Sequence, residues 1–458
     1  MMMTFRQSVQ FLETLIPHGK TKKFPGEIGF VRQKKLLALV GNPQQSFSAI
    51  HITGTSGKGS TAYLASKILH EAGYKVGLHV SPHLLSIRER IQIGMEPVSE
   101  ETFAELASVV YPAIYDFSHD PEMGSPTYFE AIVAMTFLAF ARAHVDIAVV
   151  EVGLGGKYDG TNTLGTTKVA VVTNVGLDHT EILGDTVEKI AEDKKEIIKS
   201  GCIVITGAKQ ESVREILRKK CHDVGAPLMI LGCDIRIHNR SINANGVTFD
   251  YAYKNIKYPS LFCSLLGEYQ AGNAALAVTA VLSLCPKKFP VSEIVIRQAL
   301  LASSNPGRMQ VVSRHPWVVF DGAHNGDKMR ALVSSFPRIF SYRELIVVFA
   351  LKKDKDVASI TKLLTGITQK MVVTEFIRGS DMGSHICRDA EELAGMIREN
   401  APETDVTVVR DSVKAFAYAK RIAREDDAIL VTGSLYLVGE LLGSCDGTGA
   451  PFLLYATG

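Results

Sequence analysis

The chain has 458 residues, too many for one hydrophobic core, so two or three domains are expected. Apolar residues make up 46% and charged residues 21%, which excludes a disordered or coiled-coil chain; a formal net charge of +2 excludes a nucleic-acid stripe or a polybasic membrane patch. Cysteines at 202, 221, 233, 263, 285, 387 and 445 never form a Cys-x-x-Cys pair, which points to reduced thiols in a cytoplasmic protein rather than to disulfides or zinc.

The amino end, "MMMTFRQSVQFLETLIPHGK", lacks the long apolar core and small-residue cleavage site of a secretory signal. The longest apolar run, "AIVAMTFLAF" at 131–140, is about half the ~20 residues of a membrane span and reads as a buried helix. Short runs such as "SAIHIT", "VDIAVVEVG", "KVAVVTNVG" and "CIVITG" alternate with helical patterns. They lack polar alternation, so they read as strands buried on both faces of a mostly parallel α/β sheet. From 236 to 265 polar and apolar residues do alternate, and Asn245-Gly246 supplies a hairpin signal, so an antiparallel insertion is expected there. The breaker cluster Ser304-Asn305-Pro306-Gly307 marks a boundary between 1–304 and 305–458. Beyond it "WVVFDGAHN", "RELIVVFALK", "QKMVVTEF", "DVTVVR" and "DAILVTGS" predict a smaller Rossmann-like α/β domain.

The stretch "HITGTSGKGST" places Gly54, Thr55, Ser56, Gly57, Lys58, Gly59 and Ser60 between a strand, Ile50 to Thr53, and a helix expected to begin near Ser60. Backbone N–H groups at such a turn face an anion, the helix dipole adds to them, and Lys58 brings a mobile charge. The strict pattern G-x-x-x-x-G-K-[ST] is not met, because residue 52 is Ile and residue 59 is Gly. A GTPase or kinase would place its metal-binding hydroxyl straight after the lysine. G-T-x-G-K-G-S instead resembles the ATP-binding loop of the Mur ligase superfamily, in particular its folylpolyglutamate synthase and dihydrofolate synthase branch.

Further motifs carry the same resemblance. Ser81 in "SPHL" lies at a strand end, where open α/β sheets bind ligands. Glu151 ends the buried strand "VDIAVVEVG", where a carboxylate is costly unless a cation meets it, and His179 follows the third strand in "GLDHTE". The resemblance implies that Ser81, Glu151 and His179 bind one or two Mg2+ ions. In "IAEDKKEIIK" the charge run reads by default as a solvated helix face. Aligned with the family, Lys194 falls on a lysine that reacts with carbon dioxide, which implies a carbamylated Lys194 as a further metal ligand; neighbouring Lys195 is the competing position.

"LLGEYQAGNAALA" resembles the family's adenine-side motif and implies ATP contact by Asn273, although its small residues also suit close helix packing. "NPGRM" puts Arg308 on a hinge, and "FDGAHN" puts Asp321, His324 and Asn325 at the next strand end. An arginine brought to the γ-phosphate by domain closure stabilises charge on the transferring group. The resemblance assigns that role to Arg308, nucleotide contact to Asp321, and the amino-acid side to His324 and Asn325. Lys58, Glu151, His179, Lys194, Arg308 and His324 form the implied catalytic set. On the pterin side the matching residues are Ile28, Gly29 and Phe30, then Phe129, then Tyr158, Asp159 and Gly160; Phe129 also reads as core, and Asp159 as an acceptor for pterin N–H groups.

The implied reaction is ATP-driven amide formation. L-Glutamate is added to dihydropteroate or to the glutamyl tail of folates through an acyl phosphate, with ADP and phosphate released. No Ser/His/Asp or Cys/His signature suggests a covalent acyl-enzyme. Two alternatives are another Mur-type ligase acting on a UDP-sugar acid, against which no separate amino-terminal domain precedes the loop, and a P-loop ATPase that joins nothing. The family suggests a monomer, with neither nucleic acid nor membrane as partner.

Overall fold

The computed structural model describes residues 2–16, 25–117, 122–284, 287–377 and 387–444. Cys285 and Cys445 lie outside them; the five described cysteines are all free thiols.

The first sheet has eight strands: β1 (Ser48–Thr53), β2 (Val76–His79), β3 (Gln92–Ile93), β4 (Glu96–Pro97), β5 (Ile147–Glu151), β6 (Thr166–Val172), β7 (Ile203–Thr206) and β8 (Leu228–Ile230). Their order is β4-β3-β2-β5-β1-β6-β7-β8, and only β3 runs against the rest. Alternate side chains of β1 enter different cores. Ile50 and Ile52 pack with the helices Lys58–Glu71 and Tyr269–Leu282, while Ala49 packs with Tyr128–Arg142 on the opposite face. That two-sided burial is why the strands read as continuous apolar runs. The run at 131–140 lies inside the buried helix Tyr128–Arg142, and no described helix is long and apolar enough to cross a membrane.

The chain leaves β1, passes over β5 to form β2, returns to β5, and crosses to β6 on the other side. The turn after β1 therefore sits at a topological switch point, where carboxyl-end loops diverge and open a crevice.

The expected insertion is an antiparallel sheet of β9 (Ile235–Asn243), β10 (Gly246–Tyr253) and β11 (Ile256–Cys263), with Asn245 in the first hairpin turn. Its inner residues Val247, Phe249 and Tyr251 join the core beside Tyr269–Leu282.

A separate sheet follows, made of β12 (Gln310–Arg314), β13 (Trp317–Phe320), β14 (Leu345–Phe349), β15 (Lys370–Val373), β16 (Asp405–Val408) and β17 (Ala428–Thr432). In the order β12-β13-β17-β14-β15-β16 only β12 runs against the rest, and apolar clusters cover both faces. The architecture is thus α/β, a large parallel-rich sheet domain followed by a smaller α/β domain, as the sequence implies.

Candidate active site

The glycine turn is fastened by the residues that follow β6. Thr55 N–H donates to Asn174 O (3.1 Å), Ser56 N–H to Asn174 Oδ1 (2.7 Å), and Thr173 Oγ1 donates back to Ser56 O (2.6 Å). Thr55 Oγ1 donates to Gly176 O at 3.0 Å. Two glycines make this closeness possible. Gly54 has φ +150° and a Cβ there would lie 1.9 Å from Thr173 Oγ1; Gly57 has φ +83° and a Cβ would meet Asn273 Oδ1 at 2.5 Å. Because Gly57 takes the left-handed cap conformation, the helix begins at Lys58, two residues earlier than the sequence suggested. No side chain caps it, so its first N–H groups stay available to an anion. Lys58 Nζ folds back over the turn and donates to Gly54 O at 2.9 Å.

Glu151 stands beside this turn at the end of β5, only 5% exposed. Burial raises its carboxyl above the usual range; Lys58, the Ser81 N–H that donates to Oε2 at 3.0 Å, and Arg308 oppose that rise. A Cβ on residue 59 would approach Glu151 Oε2 to 3.4 Å, so any longer side chain would fill the space in front of the carboxylate. The glycine after Lys58 keeps that space open.

His179 caps the short helix Thr180–Leu183 with φ 52°. Burial lowers its imidazole to about 4 against the pull of Asp178, with Lys355, Lys58 and Lys328 lowering it further, so the ring is neutral and able to ligate. Lys58 thus acts on both Glu151 and His179, and Ser81 touches Glu151. Among the described residues no three carboxylate, imidazole or thiol groups form a ready-made metal cage. Mg2+ is ordinarily held through one or two carboxylates plus substrate phosphates. A buried carboxylate beside a phosphate turn, with a hydroxyl and a neutral imidazole at hand, fits that mode.

The charge run at 192–196 divides. Lys195 pairs with Glu192 on the outer side, as a solvated face should, whereas Lys194 is 3% exposed and its Nζ donates to Gly54 O at 3.3 Å. Burial first, then repulsion by Lys58, brings its ammonium down to about 7. A Cβ on Gly156 would lie 3.1 Å from Lys194 Cα, so the bare glycine is what lets this helix end dock on the site.

The opposite wall comes from the second domain. Ser304 N–H donates to Tyr63 Oη (3.0 Å) and Asn305 Nδ2 to Ser60 Oγ (3.4 Å), tying the hinge to the phosphate-turn helix. Asp321 accepts from Met309 N and Ala323 N, both at 2.8 Å, with Arg308 its chief counter-charge, so its oxygens brace the Arg308 hinge from within. His324 Nδ1 lies 2.7 Å from Gly322 O, which assigns the proton to Nδ1, and Nε2 lies 3.0 Å from Lys328 Nζ. Asn325 caps the helix Gly326–Ile339, and its Nδ2 donates to Asp178 Oδ2 at 2.7 Å. Lys355 Nζ donates to Asp178 Oδ1 at 3.1 Å. Burial would raise the Asp178 carboxyl, but Lys355, His179, Lys328 and His324 together hold it well below the usual range. Asp178 is therefore an ionic tie between the two domains within the crevice, as Arg338 with Glu268 is outside it.

The implied pterin residues gather near the first strand ends. The rings of Phe30 and Tyr158 meet edge to face at 6.5 Å, and a Cβ on Gly153 would strike Phe129 Cζ at 2.5 Å and lie 3.1 Å from Asp159 Oδ2. Phe129 is partly buried and packs against the first domain's core, so both readings of it stand. Ile28 is 55% exposed on the same helix as Gly29 and Phe30. Asp159 is anchored locally, with acceptor capacity left over. It caps the turn Gly160–Thr163, and its oxygens already accept from Leu154 N, Thr161 N and Thr161 Oγ1. Gln33 beside Gly160 is fully buried, and neither atom of its amide has a partner among the described residues.

Family comparison matches this arrangement. The Mur ligase middle domain matches residues 52–281, and the Mur ligase glutamate ligase domain matches residues 307–435. A dihydrofolate synthase/folylpolyglutamate synthase of Bacillus subtilis (strain 168) is 33% identical over 426 residues, covering 93% of this chain and 96% of its own. This chain belongs to the Mur ligase family. Within it, the similarity is to the folylpolyglutamate synthase and dihydrofolate synthase branch, and the chain is an ATP-dependent ligase that forms carbon–nitrogen bonds. Mycobacterium tuberculosis folylpolyglutamate synthase complexed with ADP superposes with a TM-score of 0.87 at 28% identity over 95% of this chain and 97% of that one. E. coli FolC in complex with DHPP and ADP gives 0.82 at 26% identity over 97% and 98%.

Sequence reasoning on this Mur ligase missed Thr173 and Asn174, Gln33, Lys328 and Lys355. Lys355 lay within the quoted "FALKKDKD", and Lys328 stands one helical turn after His324, but neither position reveals that it faces the phosphate turn. Asn174 follows a strand as many polar residues do, with no sequence signal that it holds the turn.

Proposed function

We propose that the crevice between the phosphate turn and the Arg308 hinge joins L-glutamate to the carboxyl group of dihydropteroate or of a folate glutamyl tail. The observation that carries this reading is the meeting of Lys58, Glu151, His179 and Arg308 at one switch point, closed by the ionic tie at Asp178. The relatives' names favour the folate branch over a UDP-sugar ligase or an ATPase that joins nothing.

In this reading the turn from Gly54 to Ser60 receives the triphosphate, Asn273 lies at the adenine side, and Arg308 meets the γ-phosphate. Ser81, Glu151 and His179 would hold Mg2+, which neutralises phosphate charge during transfer. Lys194 is the modified lysine rather than Lys195, because a buried amine near 7 offers a neutral lone pair to carbon dioxide and the outer lysine is paired. Phe30, Phe129 and Tyr158 would flank the pterin, and Gln33 presents a free donor and acceptor to its polar edge. His324 and Asn325 stand on the glutamate side. All these groups come from one chain, in keeping with a monomer, and the free thiols suit the cytoplasm. The domain boundary falls at 304/305, beside Ser304 to Gly307.

A substrate panel tests the reading: dihydropteroate, tetrahydrofolate and a UDP-linked sugar acid, each with ATP, Mg2+ and glutamate, with products read by mass. One added glutamyl unit on a pterin substrate is expected. A product only from the sugar acid, or ATP hydrolysis without any product, would refute it.

A further inference from the structure

Amide formation from an ammonium releases two protons, one before attack and one from nitrogen after it, and the first has no assigned acceptor. A base takes the first proton and frees the amine lone pair, which becomes the C–N bond; the C–O bond to phosphate breaks, and phosphate leaves with that electron pair and takes up the second proton. The carboxylates of the crevice are already engaged. Asp178 accepts from Lys355 and Asn325, Asp321 accepts from Met309 and Ala323, and Glu151 faces the phosphate turn.

Lys328 and His324 are placed differently. Lys328 lies in the first turn of the helix Gly326–Ile339, its Nζ 3.0 Å from His324 Nε2. Because His324 Nδ1 donates to Gly322 O, Nε2 presents a lone pair, and one Lys328 N–H points at it. Two fully protonated groups at that distance would set donor against donor, so the pair carries at most one shared positive charge. Among the described residues Lys328 has no ion-pair partner, whereas Lys355 has Asp178. The charges facing Lys328 are Asp178, Lys58, Arg308 and Lys355. Glu151, Asp321 and His179 sense its charge in turn. Cations prevail around it; burial first, then Lys58, Arg308 and Lys355 against Asp178, bring Lys328 down to about 7. A neutral Lys328 donates to His324 and keeps its own lone pair directed elsewhere.

Resting on the ligase reading, we propose that Lys328, oriented by His324, takes a proton from the glutamate ammonium and so frees the lone pair that attacks the acyl phosphate. His324 is then the positioning residue and Lys328 the base.

The test compares two nucleophiles on the whole enzyme with ATP, Mg2+ and dihydropteroate. Glutamate arrives as an ammonium and needs a base, whereas hydroxylamine is already neutral near pH 7 and traps the acyl phosphate as a hydroxamate. Lys328→Met and the charge-keeping Lys328→Arg should each lose about 10²–10⁴-fold in glutamate ligation, with hydroxamate formation within about 3-fold of wild type. Wild-type kcat/KM for glutamate should level off above about 7, while the variants keep climbing about tenfold per pH unit. Unchanged glutamate ligation, or equal loss of both reactions in both variants, overturns the proton role. Absence of hydroxamate in the wild type would instead sink the ligase reading beneath it.

Discussion

The two walls of the crevice are built on different principles. On the β1 side the phosphate turn is held by backbone and short side chains, through Asn174, Thr173 and Gly176, with glycines at 54 and 57 where any Cβ would collide. On the β13 side the candidate groups are long charged side chains, Arg308, Lys328 and Lys355, which stand beside Asp321, His324 and Asp178. The first wall is rigid before any ligand arrives. The second is an excess of cations that a triphosphate and a carboxylate would neutralise, so its order is conditional on what it closes over.

The largest expected effect comes from removing the charge that serves both walls. Lys58→Ala should lower glutamate-dependent ADP release by about 10³-fold or more, since a phosphate-facing charge acts at full strength in a dry site. Retained turnover would remove the turn from the chemistry. Asp178→Asn cuts the ionic tie to Lys355 while keeping most of the side chain's shape. We expect kcat/KM for ligation to fall about 10²-fold, because misplacement of a remote wall is costly, with calorimetric ADP affinity unchanged. An equal loss of ADP binding would show that the walls are not separable.

Gly57→Ala attacks the rigid wall alone. Left-handed strain of about 1–2 kcal/mol, together with the approach to Asn273, should raise the KM for ATP about tenfold and leave the KM for glutamate unmoved. At neutral pH the effect that vanishes altogether is on stability. His51 and His79 are buried in the first domain, and burial chiefly lowers them from 6.5 to about 3 and about 4. The unfolded chain therefore binds protons that the folded one refuses. Stability is complete above about 6.5 and declines as pH falls from there towards 4, by up to about 1.4 kcal/mol per pH unit for each histidine. A calorimetric midpoint that stays flat from pH 6.5 to 4.5 would refute this.

Much of the first wall was legible because its chemistry lies in contiguous residues. A strand, two obligatory glycines and a lysine must follow one another for N–H groups to face a phosphate, so "GTSGKGS" states its own geometry. Glu151 was legible for a related reason, being a carboxylate at the end of an otherwise apolar strand. That Asp159 is also tied down by Leu154 N and Thr161 N was not legible, since only the fold brings those N–H groups to its oxygens. Lys194 and Lys195 are adjacent and chemically identical in sequence. Their difference is helix phase against Gly156, which buries one and leaves the other beside Glu192.

By itself the sequence determined the elements, their mostly parallel pairing and the kind of anion the turn receives, because strand burial and turn conformation depend on near neighbours along the chain. Only the tertiary structure decided which charges face one another across the crevice. Lys328, Lys355 and Asp178 come from separate segments, and an ammonium's ion pairing and proton affinity are set by what surrounds it in space.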